Sequence, residues 1–149
     1  MDRTFRGAIA GIIGGLSMEL WDLFSYYYLD FGSFRYLDWA AMMIYGEPPQ
    51  SIYETIMSFT MQVIWAGLLG IIFAFFIPII KSRGYLLKGI FYGLISFFII
   101  YTIPVLYQVP HLHETGSNTQ FSHFIGSIIF GAATAASLRW LDKINRVKI

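Results

Sequence analysis

Residues 51–80 read SIYETIMSFTMQVIWAGLLGIIFAFFIPII, thirty positions in which Glu54 is the only formal charge. A bilayer's hydrocarbon core needs roughly 20 helical residues to cross, so this run can span one. Its entry, Ser51-Ile-Tyr-Glu54, has the form of a capping box, in which serine and glutamate satisfy N–H groups that the first helical turn leaves free. Three further apolar runs flank it: residues 7–29, 85–107 and 122–141. Pro104 is expected to kink the end of the third of the four runs, and the fourth is the richest in small residues. The reading is an all-α, polytopic membrane protein: one domain over residues 1–149, with four transmembrane helices in a bundle.

Composition agrees. The chain is 56% hydrophobic and 13% charged, against about 25% charged in soluble domains. A soluble fold of this length has too small a core to hide so much apolar surface. The absence of cysteine excludes disulfides, thiolate metal sites and covalent haem attachment. Glu19 and Asp22 lie in the first run, with no clean small-residue cleavage site before them. That run is therefore expected to be a retained span and not a removed signal peptide.

Charge sets orientation. Lys or Arg stands at positions 3, 6, 81, 83, 88, 139, 143, 146 and 148, at the termini and in the link between the second and third runs. The other two links hold Arg35 alone. This bias predicts an inner-membrane protein with both termini in the cytoplasm. Asp30, Asp38, Glu47, Glu54 and Glu114 fall on the opposite side. The long first outer link contains Arg35–Tyr45, apolar and aromatic but too short to span. A short interfacial helix on the outer leaflet is expected there, closed by Gly46 and the Glu47-Pro48-Pro49 turn. Tyr26, Tyr27, Tyr28, Tyr36, Trp39, Tyr45, Tyr53 and Tyr107 would form an outer aromatic belt, and Trp140 an inner anchor.

Small residues recur at four-residue spacing: Gly7, Gly11 and Gly15; Ala66, Gly70 and Ala74; Gly89 and Gly93; Ser127, Gly131 and Ala135. Such glycine-zipper stripes let helix backbones approach closely in lipid. They serve packing within one chain, or pairing with a second copy or a membrane partner subunit. A faint echo accompanies them: Arg6–Gly11 resembles Lys88–Gly93, and Gly70-Ile-Ile-Phe-Ala74 resembles Ser127-Ile-Ile-Phe-Gly131. A duplicated two-helix hairpin would explain both, but Ile, Phe and Gly are so common here that chance is the simpler account.

The glycine face of the first run continues into Glu19 and Asp22. Counting the helical rise from Gly7 puts them roughly 18 and 22 Å into a core of about 30 Å. An intramembrane acid is a candidate functional group. No span holds a basic residue deep enough to pair with it, so its expected partners are Gln62, Ser58, Tyr101, Thr102 and His123. The pair either marks a cation or proton pathway or small-ligand site, or only fixes packing. His111, His113 and His123 are weak candidates for a metal site, because His-x-His converges only in extended chain. No cofactor is expected, and nucleophile–base pairs, phosphate loops and dinucleotide fingerprints are lacking. The basic tail suits anionic lipid and not nucleic acid. An enzyme would need the outer histidines to converge with Glu19 or Asp22 around a metal or a lipid headgroup.

The layout resembles small bacterial inner-membrane proteins of the YagU and YqhR type. The resemblance rests on the glycine-rich first span, Leu37-Asp38-Trp39-Ala40, Phe76-Ile-Pro78, the Gly89-xxx-Gly93 entry, and Ser122-His123-Phe-Ile-Gly126 followed by Gly131. It implies the four-span fold and a bacterial inner membrane, with acid tolerance attached to one branch. It lends no catalytic residue, and His123 alone carries over, as a polar contact. The function expected is that of a non-enzymatic accessory or scaffold component acting through helix packing.

Overall fold

The computed structural model describes residues 2–79, 84–112 and 115–146. Among them are five α-helices and no strand: α1 (Arg3–Tyr27), α2 (Tyr36–Tyr45), α3 (Ile52–Phe76), α4 (Tyr85–Leu106) and α5 (Ser117–Arg146). All but α2 are long and apolar enough to cross a membrane, α5 over Ser117–Ile144.

Local chemistry sets the ends. The Asp2 carboxylate accepts from Arg3 N at 2.7 Å and starts α1 four residues ahead of Gly7. At α3, Ser51 Oγ accepts from Glu54 N at 3.2 Å, while Glu54 reaches back to Gln50 N, one residue beyond the expected cap, at 2.6 Å. Gly46, at φ 82°, closes α2 in the left-handed conformation that glycine adopts without strain. Pro104 lies inside α4 just before its end. Helix α5 begins at Ser117, earlier than the apolar run at 122, because the polar residues of its first turns bond to α1 and its flank. Ser33 N donates to Thr119 Oγ1 at 2.9 Å, and the Ser25 and Ser122 hydroxyls share a 2.6 Å hydrogen bond.

Helix α1 packs between α3 and α5, α5 also packs on α4, and α2 lies against α3. Two of these contacts are glycine-to-glycine. A Cβ on Gly11 would come 2.8 Å from Gly70 Cα in α3, and a Cβ on Gly93 would come 3.2 Å from Gly131 Cα in α5. Helices α3 and α4 stand apart along an apolar cavity of about 620 Å³, lined by Trp65, Leu69, Phe73, Leu87, Phe91 and Ile95 among others. At the end away from α2, Arg6 of α1 pairs with Asp142 of α5.

Helix α2 departs from the expected surface position. Tyr36, Leu37, Asp38, Trp39, Ala41 and Met42 are all buried. The first turn is drawn inward because Asp22 accepts a hydrogen bond from Tyr36 N at 2.7 Å. Trp39 and Met42 then cluster with Leu112 from the α4–α5 link. Tyr36 and Trp39 thus leave the expected belt for the interior, whereas Tyr27, Tyr28, Tyr45, Tyr53 and Tyr107 are exposed.

Candidate functional site: a buried polar layer

The glycine stripes carry the site. Four residues beyond Gly15 on α1 stands Glu19, and four before Ala66 on α3 stands Gln62, so the stripe that brings the backbones together also brings these side chains face to face. Gln62 Nε2 donates to Glu19 Oε2. Helices α4 and α5 repeat the arrangement in the same register. Gly89 and Gly93 meet Gly131 and the backbone of Ser127 as Gly7 and Gly11 meet Gly70 and the backbone of Ala66. Two turns further along α4 stands Tyr101, and one turn before Ser127 stands His123. Tyr101 Oη and His123 Nδ1 lie 2.7 Å apart. Glu19–Gln62 in one helix pair therefore corresponds to Tyr101–His123 in the other. The Arg6–Gly11 and Lys88–Gly93 echo keeps its register. The second echo is displaced by one turn, because Gly70 corresponds to Gly131 and not to Ser127.

Asp22 joins the second of these pairs to α2. Its Oδ1 lies 3.3 Å from His123 Nε2, while its Oδ2 accepts from Tyr36 N. The Tyr36 ring stacks on the His123 imidazole with centroids 3.9 Å apart, and its hydroxyl donates to His123 O at 2.7 Å. Trp39 meets the same imidazole edge-on. Glu19 is 4% exposed, Asp22 2% and His123 fully buried. Burial also pushes the Tyr36 phenol above its ordinary pKa, so it stays a neutral donor. Next to it, Arg35 is held by both oxygens of Asp38, at 2.8 and 3.1 Å. That hydrogen bonding raises its pKa and keeps the guanidinium charged.

The structure therefore brings Glu19, Asp22, Gln62, Tyr101 and His123 into one layer, in two hydrogen-bonded sets. His123 is deeper than its expected place at the top of the fourth span: the early start of α5 puts it well inside the helix. Thr102 does not join, since its hydroxyl donates back to Phe98 O within α4. The other histidine candidates are not brought in. His111 is exposed in the α4–α5 link, and His113, with Glu114, lies outside the described residues, as do Lys81, Arg83 and Lys148. Among the described residues no cluster of three His, Cys, Asp or Glu side chains could hold a metal ion. The roles of Tyr36 and Trp39 were missed because a tyrosine and a tryptophan in a short aromatic segment look the same whether they face lipid or fold inward.

No protein-family model, curated protein or solved structure matches the chain.

Proposed function

We propose that this chain is a bacterial inner-membrane protein with both termini cytoplasmic, whose four spans form a bundle left open along one side. It works without catalysis, as an accessory component whose α3–α4 groove receives one transmembrane helix of a partner subunit. The observation that supports this is the unequal treatment of two equivalent contacts. If α1 corresponds to α4 and α3 to α5, the packed α1–α5 face has α4–α3 as its counterpart, and that face is held apart. On α1 the facing positions are Ala10 and Gly14, and a Cβ on Gly14 would run into Thr134 and Phe130. On α4 the same positions are Tyr92 and Ser96. The Tyr92 hydroxyl donates to Leu69 O at 2.7 Å and its ring rests on Phe73 at 5.0 Å, a wedge between the helices. The resulting groove runs from Gly84 to Ile100 on α4, about 24 Å at the helical rise, the length of a helix-to-helix contact. The basic residues at the end away from α2 support the orientation, and the resemblance to YagU- and YqhR-type proteins supports the membrane.

Photo-crosslinking in native membranes tests this. A photoreactive residue at Leu87 or Ile95, in the groove, is expected to give a discrete protein adduct, and one at Leu20 on α1 is not. Adducts to lipid alone would contradict the proposal. An adduct of twice the chain's own mass would identify a second copy in place of a partner subunit.

A further inference from the structure

The two polar pairs differ in what stands beside their unmatched atoms. His123 Nε2 of the second pair makes no hydrogen bond among the described residues, but the Asp22 carboxylate, a group of the chain itself, stands 3.3 Å from it. In the first pair Glu19 Oε1 and Gln62 Oε1 are buried with no hydrogen-bond partner among the described residues. Facing Glu19 with its amide nitrogen leaves Gln62 presenting its carbonyl oxygen to the same interface. Ser58 stands one turn further along the α3 stripe, fully buried, and its Oγ also has no partner. Three oxygens on one face of the α1–α3 interface are thus left unmatched, although a buried polar atom without a partner is costly.

Charge points to what completes them. Glu19, Asp22 and Asp38 are the carboxylates of this layer. Arg35 is engaged by Asp38, and Asp22 is turned to Tyr36 N and His123. Among the described residues Glu19 receives a hydrogen bond from a neutral amide and none from a basic side chain. A carboxylate, an amide carbonyl and a hydroxyl are hard oxygen ligands carrying one formal charge. Calcium takes 6–8 oxygens, commonly from several carboxylates, which is more than this face supplies. We propose that Glu19 Oε1, Gln62 Oε1 and Ser58 Oγ bind a monovalent cation of sodium's kind between α1 and α3, with water completing its shell. The ion locks the α2 end of α1 to α3.

The test uses the full chain in nanodiscs at one pH, with NaCl titrated against N-methylglucamine chloride at constant ionic strength. Sodium is expected to raise the unfolding temperature saturably, by roughly 5–10 °C at a hundredfold excess over its Kd. Ser58→Ala should weaken the apparent sodium affinity about tenfold, and Glu19→Gln should abolish the response. Radiosodium binding to the unmodified chain should approach one ion per chain. Should Glu19→Gln fail to fold, radiosodium binding to the unmodified chain and to Ser58→Ala decides the matter. No sodium-specific stabilisation and no bound radiosodium would overturn the proposal in favour of water or a proton at this place. A sodium response unchanged in Glu19→Gln would overturn it as well.

Discussion

Gly7 and Gly11 of α1 meet Gly70 of α3 just as Gly89 and Gly93 of α4 meet Gly131 of α5. Beyond that shared contact the two helix pairs diverge. The α4–α5 pair carries a tyrosine and a histidine, flanked by Asp22 and covered by the rings of Tyr36 and Trp39. The α1–α3 pair carries a carboxylate and an amide with oxygens to spare. One scaffold thus holds a ring-covered polar contact with a carboxylate at its open nitrogen on one side, and a carboxylate–amide contact with unmatched oxygens on the other. Backbone proximity follows from small residues at fixed spacing, whereas the chemistry at the end of each stripe is free to differ.

The largest expected effect breaks the ring-covered contact. Asp22→Ala removes the acceptor of Tyr36 N and the neighbour of His123 Nε2 together and should cost about 3–5 kcal/mol. Glu19→Gln, in sodium-free buffer, should cost less than about 1 kcal/mol, because Gln62 keeps an acceptor. Unfolding of both variants in the same nanodiscs checks the pair of values. Equal losses would mean that the two contacts do not differ as described.

A smaller effect concerns the wedge. Tyr92→Ala gives α4 the residue that α1 carries at Ala10, and it removes the bond to Leu69 and the ring on Phe73. A loss of about 1–3 kcal/mol is expected, with α3 and α4 drawing together. The chain has no cysteine, so spin labels on Leu68→Cys and Ile95→Cys report the spacing directly. A distance unchanged by Tyr92→Ala would remove Tyr92 as the spacer.

The smallest effect is a control. Gly67 is helical, and a Cβ there would meet Ile12 at an ordinary 3.4 Å. Gly67→Ala should therefore be neutral or stabilise by up to about 1 kcal/mol, through helix propensity alone. Thermal unfolding resolves this, and a clear loss would mean that the stripe is broader than the four-residue spacing implies.

The spans and stripes could be read in the sequence because they depend on local period and length. Gln62 opposite Glu19 was legible for the same reason: both prolong stripes already recognised. The matching contacts of α1 and α4 were visible as an echo, where Gly-xxx-Gly follows a basic residue. It was misregistered in α3 and α5, where matching Ile-Ile-Phe triplets pulled the comparison off the glycines that make the contact. The placement of α2 was not legible at all. An aromatic ten-residue helix suits an interface by composition, and only the long-range bond from Tyr36 N to Asp22 draws it inward. The α3–α4 groove was hidden likewise, since Tyr92 becomes a wedge only once Leu69 and Phe73 are known to face it.

The shared glycine contact is tested most directly by the unfolding free energies of Gly70→Ala and Gly131→Ala, measured side by side. A Cβ at either position would press on backbone of the facing helix: 2.5 Å from Gly11 N for Gly70, and 2.7 Å from Gly89 C for Gly131. Backbone cannot yield as a side chain can, so each variant should lose about 1–3 kcal/mol, and the two losses should be similar. If Gly131→Ala instead behaves like Gly67→Ala while Gly70→Ala is damaged, the two helix pairs are not built on one contact.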